Sequence, residues 1–363
     1  MATYNSAQAG NWNTDATWTE AGHPDTNDDV IVITHMVDYN VGLTGSGIDW
    51  GNVTINSGGT LDFPINGDST LKFNVTGVLT VGNGGKLSCG SLSTPIDKAY
   101  KLNIYWPNGA AVRDVLELTD GGEIALYGDP DFYGSEKYAN LDSNWTSGQT
   151  FYITGNYSSK WQAGQKFLIH KNGVYTSYLE KTHIFTIATV GSYDTGNDRT
   201  PITITEAAPD ETFAAIRNKH QSKLIMLSRN IELADYESNW DINGYVSYSE
   251  KIKFDNNQAI GTDLIRINNA IMRGWYYGCD GGYNYNGKDM VVINNLMAFR
   301  IGKTFTLEAD FVSNEYGIYA GDNYHIIGDF VSNEVSILQG KYFHITGDFV
   351  NNLYGIVMDP HLL

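Results

Sequence analysis

The chain has 363 residues, 42% of them apolar and 18% charged, which is enough apolar surface for a core and too little charge for a disordered chain. Its 41 acidic against 23 basic side chains give a formal charge of −18, which repels phosphate backbones and anionic bilayers and argues against nucleic acid or membrane as partners. The 39 glycines and 24 tyrosines, with many Thr, Val, Ile and Asn, favour strands joined by tight turns; Cys89 and Cys279, the only cysteines, form no CxxC motif and are expected as buried thiols.

In chain order, MATYNSAQAGNW lacks the positive and apolar regions of an export signal, and no long apolar run follows that would span a membrane, so neither is predicted. NWNTDATWTEAGHPDTNDDVIVI, residues 11–33, places Trp12, Trp18, Pro24, Asp28 and Asp29 ahead of an alternating strand. VTINSGGTLDF (53–63), LTVGNGGKLSCG (79–90) and LTDGGEIALYG (118–128) each set two glycines before a polar and an aliphatic residue, which reads as irregular coils of one solenoid. Further on, WQAGQKFLIH (161–170) and LIMLSRNIEL (224–233) bracket FTIATV, TPITIT and a predicted short helix around ETFAAIRNKHQ.

Three of these stretches together resemble the eight-glycine module that opens several β-helix proteins, the cell-migration-inducing hyaluronidase family among them. They are the Trp12/Trp18 opening, the WQAG element with Gln165 where an aspartate is usual, and LSRNI. The resemblance implies β-helix coils over 1–145, an inserted small β-barrel-like subdomain over 146–223, a resumed β-helix over 224–363, and glycan-directed activity. The opening MATYNSAQAGNWNTDATW is also similar to the openings of bacteriophage structural proteins, which assemble in the host cytoplasm without a signal peptide.

The last third repeats itself. GDFVSN at Gly328 returns as GDFVNN at Gly347, and stepping back by the same nineteen residues aligns Val292, Phe311, Phe330 and Phe349, then Ile293, Val312, Val331 and Val350. Phe299, Ile318, Ile337 and Ile356 form a third apolar column, and Gly302, Gly321 and Gly340 are expected to supply the permissive turn. A period near twenty with β-type apolar stretches marks coils that bury their apolar side only by stacking. The predicted fold is all-β, a right-handed parallel β-helix. Asn295, Asn314, Asn333 and Asn352, with Asn269 as an earlier copy, are read as a structural ladder, because a stacked amide both donates and accepts.

Asp310, Asp329 and Asp348 form a carboxylate column. At about 5 Å, two carboxylates repel by roughly 3 kcal/mol at an effective dielectric of 20. Buried, the column needs a cation, calcium being the candidate, or a raised pKa; at a solvated corner, the expected placement, it needs neither. His325 and His344 repeat at the same period and read as an outward face rather than a zinc site. GWYYGCDGGYNYNGKD (274–289) breaks the rhythm and is expected to bulge from the column, offering Trp275, Tyr276, Tyr277, Tyr283 and Tyr285 to glycans or proteins, or else folding over the solenoid's side; DPDFYGSEKYANLD (129–142) is a weaker stretch of the same kind. No carboxylate spacing singles out a glycosidase pair, although Asp280 and Asp289 lie in the insertion.

With no catalytic residues and no cofactor assigned, the sequence points to a non-enzymatic structural or binding protein of a virion: a bacteriophage decoration, fibre or tail-associated protein that partners with itself as a homo-oligomer, a trimer by preference, with other virion proteins, or with glycans. The final coil, ending at Leu363 with little left to cap it, motivates the association. The alternatives are a polysaccharide-degrading tailspike-like or hyaluronidase-like enzyme, and a bacterial surface adhesin.

Overall fold

The computed structural model describes residues 2–27, 29–40, 48–64, 70–97, 99–106, 113–119, 121–130, 136–170, 182–207, 212–213, 215–217, 220–221, 223–234, 250–255, 265–268, 270–273, 277–281, 283–293, 295, 297–300, 303–312, 314–331, 333–350 and 352–357. Apart from one 3-10 turn at Asp15–Thr17, their regular structure is β.

The chain is a right-handed parallel β-helix, the hand that parallel crossovers take. Its coils stack into three parallel faces. The first runs from Thr3–Asn5 through Val30–Ile33, Val53–Ile55, Leu79–Val81 and Arg113–Thr119 to Glu250–Asp255, Tyr277–Gly281, Met297–Arg300, Tyr316–Ile327, Val335–Thr346 and Tyr354–Val357. At about 4.8 Å per rung, ten steps make a column about 48 Å long. The second face joins Gly10–Asn11 to Met36–Asp38, Thr60–Asp62, Lys86–Cys89, Glu123–Tyr127 and Ile265–Asn268. The third joins Asp49–Trp50 to Thr70–Val75, Lys101–Tyr105, Ile231–Ala234 and Ala270–Arg273, and continues into Tyr283–Ile293, Lys303–Val312, Phe330–Val331 and Phe349–Val350.

Side chains that alternate inward along these strands form one continuous core, from Trp12 and Trp18 through Ile55, Leu87 and Ile124 to Phe311 and Phe330. The paired glycines of the early coils have a steric cause. Gly58, Gly84 and Gly121 have φ of +82, +72 and +84°, and a Cβ on the following Gly59, Gly85 or Gly122 would lie 2.3, 2.3 or 2.5 Å from a backbone carbonyl of the preceding coil.

Between Glu123–Tyr127 and Ile231–Ala234 the chain leaves the column and builds a six-stranded antiparallel sheet, in the order Tyr138–Asn140, Lys223–Met226, Lys166–His170, Thr182–Val190, Arg199–Ile204, Thr150–Thr154. A bridge from Leu141 to Ile153 joins the first strand to the last and closes a small barrel. The hydrogen-bonded barrel therefore starts before residue 146 and ends beyond residue 223. Trp145, Phe151, Phe167, Phe185, Phe213 and Met226 fill it. Where a short helix was predicted, Ile216–Arg217 instead pairs antiparallel with His220–Gln221, so these residues bond across strands rather than along a helix.

Strand alternation also holds the barrel against the column. Leu224 and Met226 point into the barrel, while Ile225 and Leu227, with Leu168, join Ile271, Val291, Ile293, Val312 and Val331 on the outer side of the third face.

Candidate functional site

The residues singled out by the nineteen-residue repeat converge on the outer flank of the third face, under the barrel. Asp310 lies between the inward Ala309 and Phe311, so its carboxylate points outward, where the barrel covers it completely. Tyr138 Oη donates to Asp310 Oδ1 at 2.7 Å, and Lys137 Nζ forms an ion pair with Asp310 Oδ2 at 3.1 Å. One coil on, Lys223 Nζ lies 2.9 Å from Asp329 Oδ2 and 3.8 Å from Asp348 Oδ2. The file is also tied to the backbone, with Asp329 N–H donating to Asp310 Oδ1 at 3.1 Å and Asp348 N–H to Asp329 Oδ1 at 2.9 Å.

The solvated-corner expectation is thus corrected for two of the three aspartates. Asp310 and Asp329 are buried, and only Asp348, with 72% side-chain exposure, meets water. The cations that burial demands are the ammonium groups of Lys137 and Lys223, brought in by the barrel. Among the described residues, no group of three or more His, Cys, Asp or Glu side chains is arranged to hold a metal ion.

Asp289 extends the cluster by one coil. It sits in a bulge between Gly287 and Met290, at φ +53°, with Oδ1 3.4 Å from both Lys137 Nζ and Arg229 Nη2. Burial, then the neighbouring Glu308 and Asp310, push its carboxyl up to about 7. The buried Arg229 also donates to the carbonyls of Met226, Ser228 and Asp289, and burial lowers its pKa to about 10. Burial, the Asp310 and Asp329 charges and the bond to Asp310 raise that of Tyr138. Asp289, covered in this way, does not face a groove as a glycosidase carboxylate must; Asp280 is described only as a strand residue.

The asparagine file lies on the inner side of a corner. Asn295, Asn314 and Asn333 are fully buried, and the Nδ2 of each donates to Oδ1 of the next at 2.9, 3.0 and 3.1 Å, the last acceptor being Asn352. Each Oδ1 accepts a second bond from the N–H of the preceding asparagine, and the Nδ2 groups of Asn314, Asn333 and Asn352 also reach Val292 O, Phe311 O and Phe330 O. Asn269 lies outside the described residues; Ile271 pairs with Val291, so this coil is twenty residues from the next, and the described file begins at Asn295.

The aromatic insertion is placed differently from expectation. Tyr277–Gly281 and Tyr283–Ile293 are paired rungs of the column rather than a bulging loop, and the extra residue is absorbed at Asp289. Tyr285, offered as a contact residue, is 5% exposed, edge-on to Phe299 at 5.4 Å, with its hydroxyl 3.4 Å from Met290 Sδ, so the core holds it away from any surface ligand. Trp275 and Tyr276 lie outside the described residues, and Tyr277 and Tyr283 are described only as strand residues.

The glycine column shows a second difference. Gly321 and Gly340 pair within the ladder, and the positive φ of that corner falls two residues later, at Asn323 (+53°) and Tyr342 (+55°). His325 and His344 are exposed, with ring centroids 5.0 Å apart. Cys89 is buried, which raises its thiol pKa.

One pair escaped the sequence reading. Glu315 and Glu334, each directly after an asparagine of the file, sit half-buried on successive coils, where Glu334 N–H donates to Asn314 O and Val335 N–H to Glu315 O. Burial and then the Glu334 charge raise the pKa of Glu315, and Tyr316 and Tyr319 meet edge-to-face beside the pair at 5.9 Å. Their nineteen-residue spacing carried the signal, but the next equivalent position is Leu353, which broke the column.

No family model matches the chain, and no curated protein does. Among solved structures, the Gp54 tailspike of Acinetobacter baumannii bacteriophage AP22, determined with an A. baumannii capsular saccharide, is similar over 82% of this chain and 53% of its own, at 10% identity and a TM-score of 0.22. The tailspike protein gp49 from Pseudomonas phage LKA1 is similar over 82% and 50%, at 11% identity and a TM-score of 0.22. The chain spans about half the length of these two proteins. A likeness this distant says nothing of activity or ligand.

Proposed function

We propose that this protein is a non-enzymatic structural component of a virion, a bacteriophage fibre, decoration or tail-associated protein whose task is to present a stiff column. One observation carries the reading: an unbroken parallel stack, about 48 Å long, whose last coils are bonded through a buried asparagine file. Such a stack resists bending because each coil shares backbone and amide bonds with the next. The resemblance of the opening residues to phage structural proteins supports the same reading, with other virion proteins, further copies of the chain as a trimer, and surface glycans as partners. Mass spectrometry of purified particles tests it. Stoichiometric presence is expected, and absence from particles overturns it.

A second reading rests on Glu315 and Glu334. In-register carboxylates on adjacent coils, one with a raised pKa, are what glycoside cleavage uses when the two stand about 5 Å apart. A reducing-end assay on host capsule and on hyaluronan, the substrate that the eight-glycine resemblance suggests, separates the two readings. Turnover abolished by Glu315→Gln favours the enzyme; no turnover favours the column.

A further inference from the structure

The barrel packs on the third face, and on the first face the late coils carry a surface of a different kind. Ile318 and Ile337 turn into the core, so the residues that follow them, Tyr319 and Leu338, point outward. Tyr316 meets Tyr319 edge-to-face at 5.9 Å and stands on the same side, with Val335 and then Tyr354 over it in register. Tyr316, Tyr319 and Leu338 are half-buried, while Leu353 and Tyr354 are 45% and 53% exposed. Glu315 and Glu334 border this apolar strip on successive coils. Burial, then the charges of both glutamates, raise the pKa of the Tyr316 hydroxyl, which places that ring beside the pair.

The two faces treat their carboxylates differently. On the third face each buried aspartate of the file has an ammonium group, Lys137 for Asp310 and Lys223 for Asp329. Among the described residues, no Lys, Arg or His forms an ion pair with Glu315 or Glu334. Half-buried carboxylates one coil apart, without a cation and beside tyrosine rings, are the complement of a cation carried on an apolar stem. A guanidinium fits best, because it is planar, weakly hydrated and able to bond carboxylates while stacking on a ring. A second copy of this chain does not supply the complement: two copies meeting here would set the glutamates of one against those of the other, a like-charge contact. We propose, on the reading of this chain as a virion component, that the strip is the docking surface for a different protein, which presents an arginine flanked by apolar side chains. The arginine takes the place between Glu315 and Glu334 against Tyr316, and its apolar flanks cover Leu338, Leu353 and Tyr354.

Photo-crosslinking in assembled particles tests the docking. The full chain carries Tyr354→p-benzoylphenylalanine at the exposed rim of the strip, or Leu353→p-benzoylphenylalanine where the first variant does not assemble, and cross-linked peptides are identified by mass spectrometry. One segment of another virion protein, with an arginine among apolar residues, is expected. The same probe at Tyr342, exposed at another corner, is expected to miss that segment. Glu315→Gln combined with Glu334→Gln is expected to cut the cross-link by about tenfold or more. The thermal midpoint of this double variant is not expected to fall, since the pair repels within the chain itself, whereas a merely structural role would lower it. Cross-links to another copy of this chain, to a segment without a basic residue, from Tyr342 equally, or undiminished in the double variant overturn the docking. So does the lack of any cross-link in particles that contain the chain, whereas particles without the chain fail the virion reading and take the docking with it.

Discussion

The early and late coils of the same column are held together by different means. Near the N-terminus, consecutive coils are offset by 26 residues at Val53↔Leu79 and by 37 at Leu79↔Leu116, and the rings that meet from coil to coil, Trp12, Tyr39 and Phe63, differ in kind. Trp12, Tyr39, Phe63 and Phe73 accordingly pack edge-to-face, with interplanar angles of 64 to 86°. Near the C-terminus, the nineteen-residue offset places several residues over their own kind. Phe311, Phe330 and Phe349 stack at 4.7 and 5.0 Å, with interplanar angles of 4 and 6°, and the asparagines bond in file. Irregular coils rely on shape fit among different side chains, and strict repeats on the self-complementarity of one side chain.

The difference can be broken experimentally, starting where the effect is largest. Asn314→Leu removes the acceptor for Asn295 N–H and Nδ2 and the donor to Val292 O. With several buried groups orphaned, a loss on the order of 4 kcal/mol in denaturant unfolding is expected, and a loss below about 1 would show that the file is ornamental. Among the early coils, Gly85→Ala drives a Cβ to 2.3 Å from Ile55 O. It is expected to cost about 1–3 kcal/mol by displacing one coil against the next, read as a lower thermal midpoint. The smallest change sharpens the contrast: His325→Ala, on the exposed histidine pair, should stay within about 0.5 kcal/mol of wild type, since in-file stacking without burial contributes little.

Much of the architecture was legible because it is written in short-range pattern. Periodic Phe311, Phe330 and Phe349 announce a stack, and SGGTL, NGGKL and DGGEI announce turns where a preceding carbonyl leaves no room for a side chain. The site was legible only in part. Tyr285 reads as a surface ring among Gly and Asn, yet its strand is a rung of the column and turns it inward, because one bulged residue at Asp289 restores the register that the apparent insertion had broken. Glu315 and Glu334 obeyed the period but were hidden by a column that ends in Leu353.

By itself the sequence determined which residues stand over one another in the last coils, since a constant spacing gives each of those coils the same neighbours above and below. Only the tertiary structure decided which files meet water. Asp310 and Asp329 look as solvent-bound as Asp348 in the repeat, and they are buried because a barrel built from an earlier part of the chain lays Lys137, Tyr138 and Lys223 across them. A period records contacts between successive turns, and it holds no trace of a cover that arrives from a distant part of the chain.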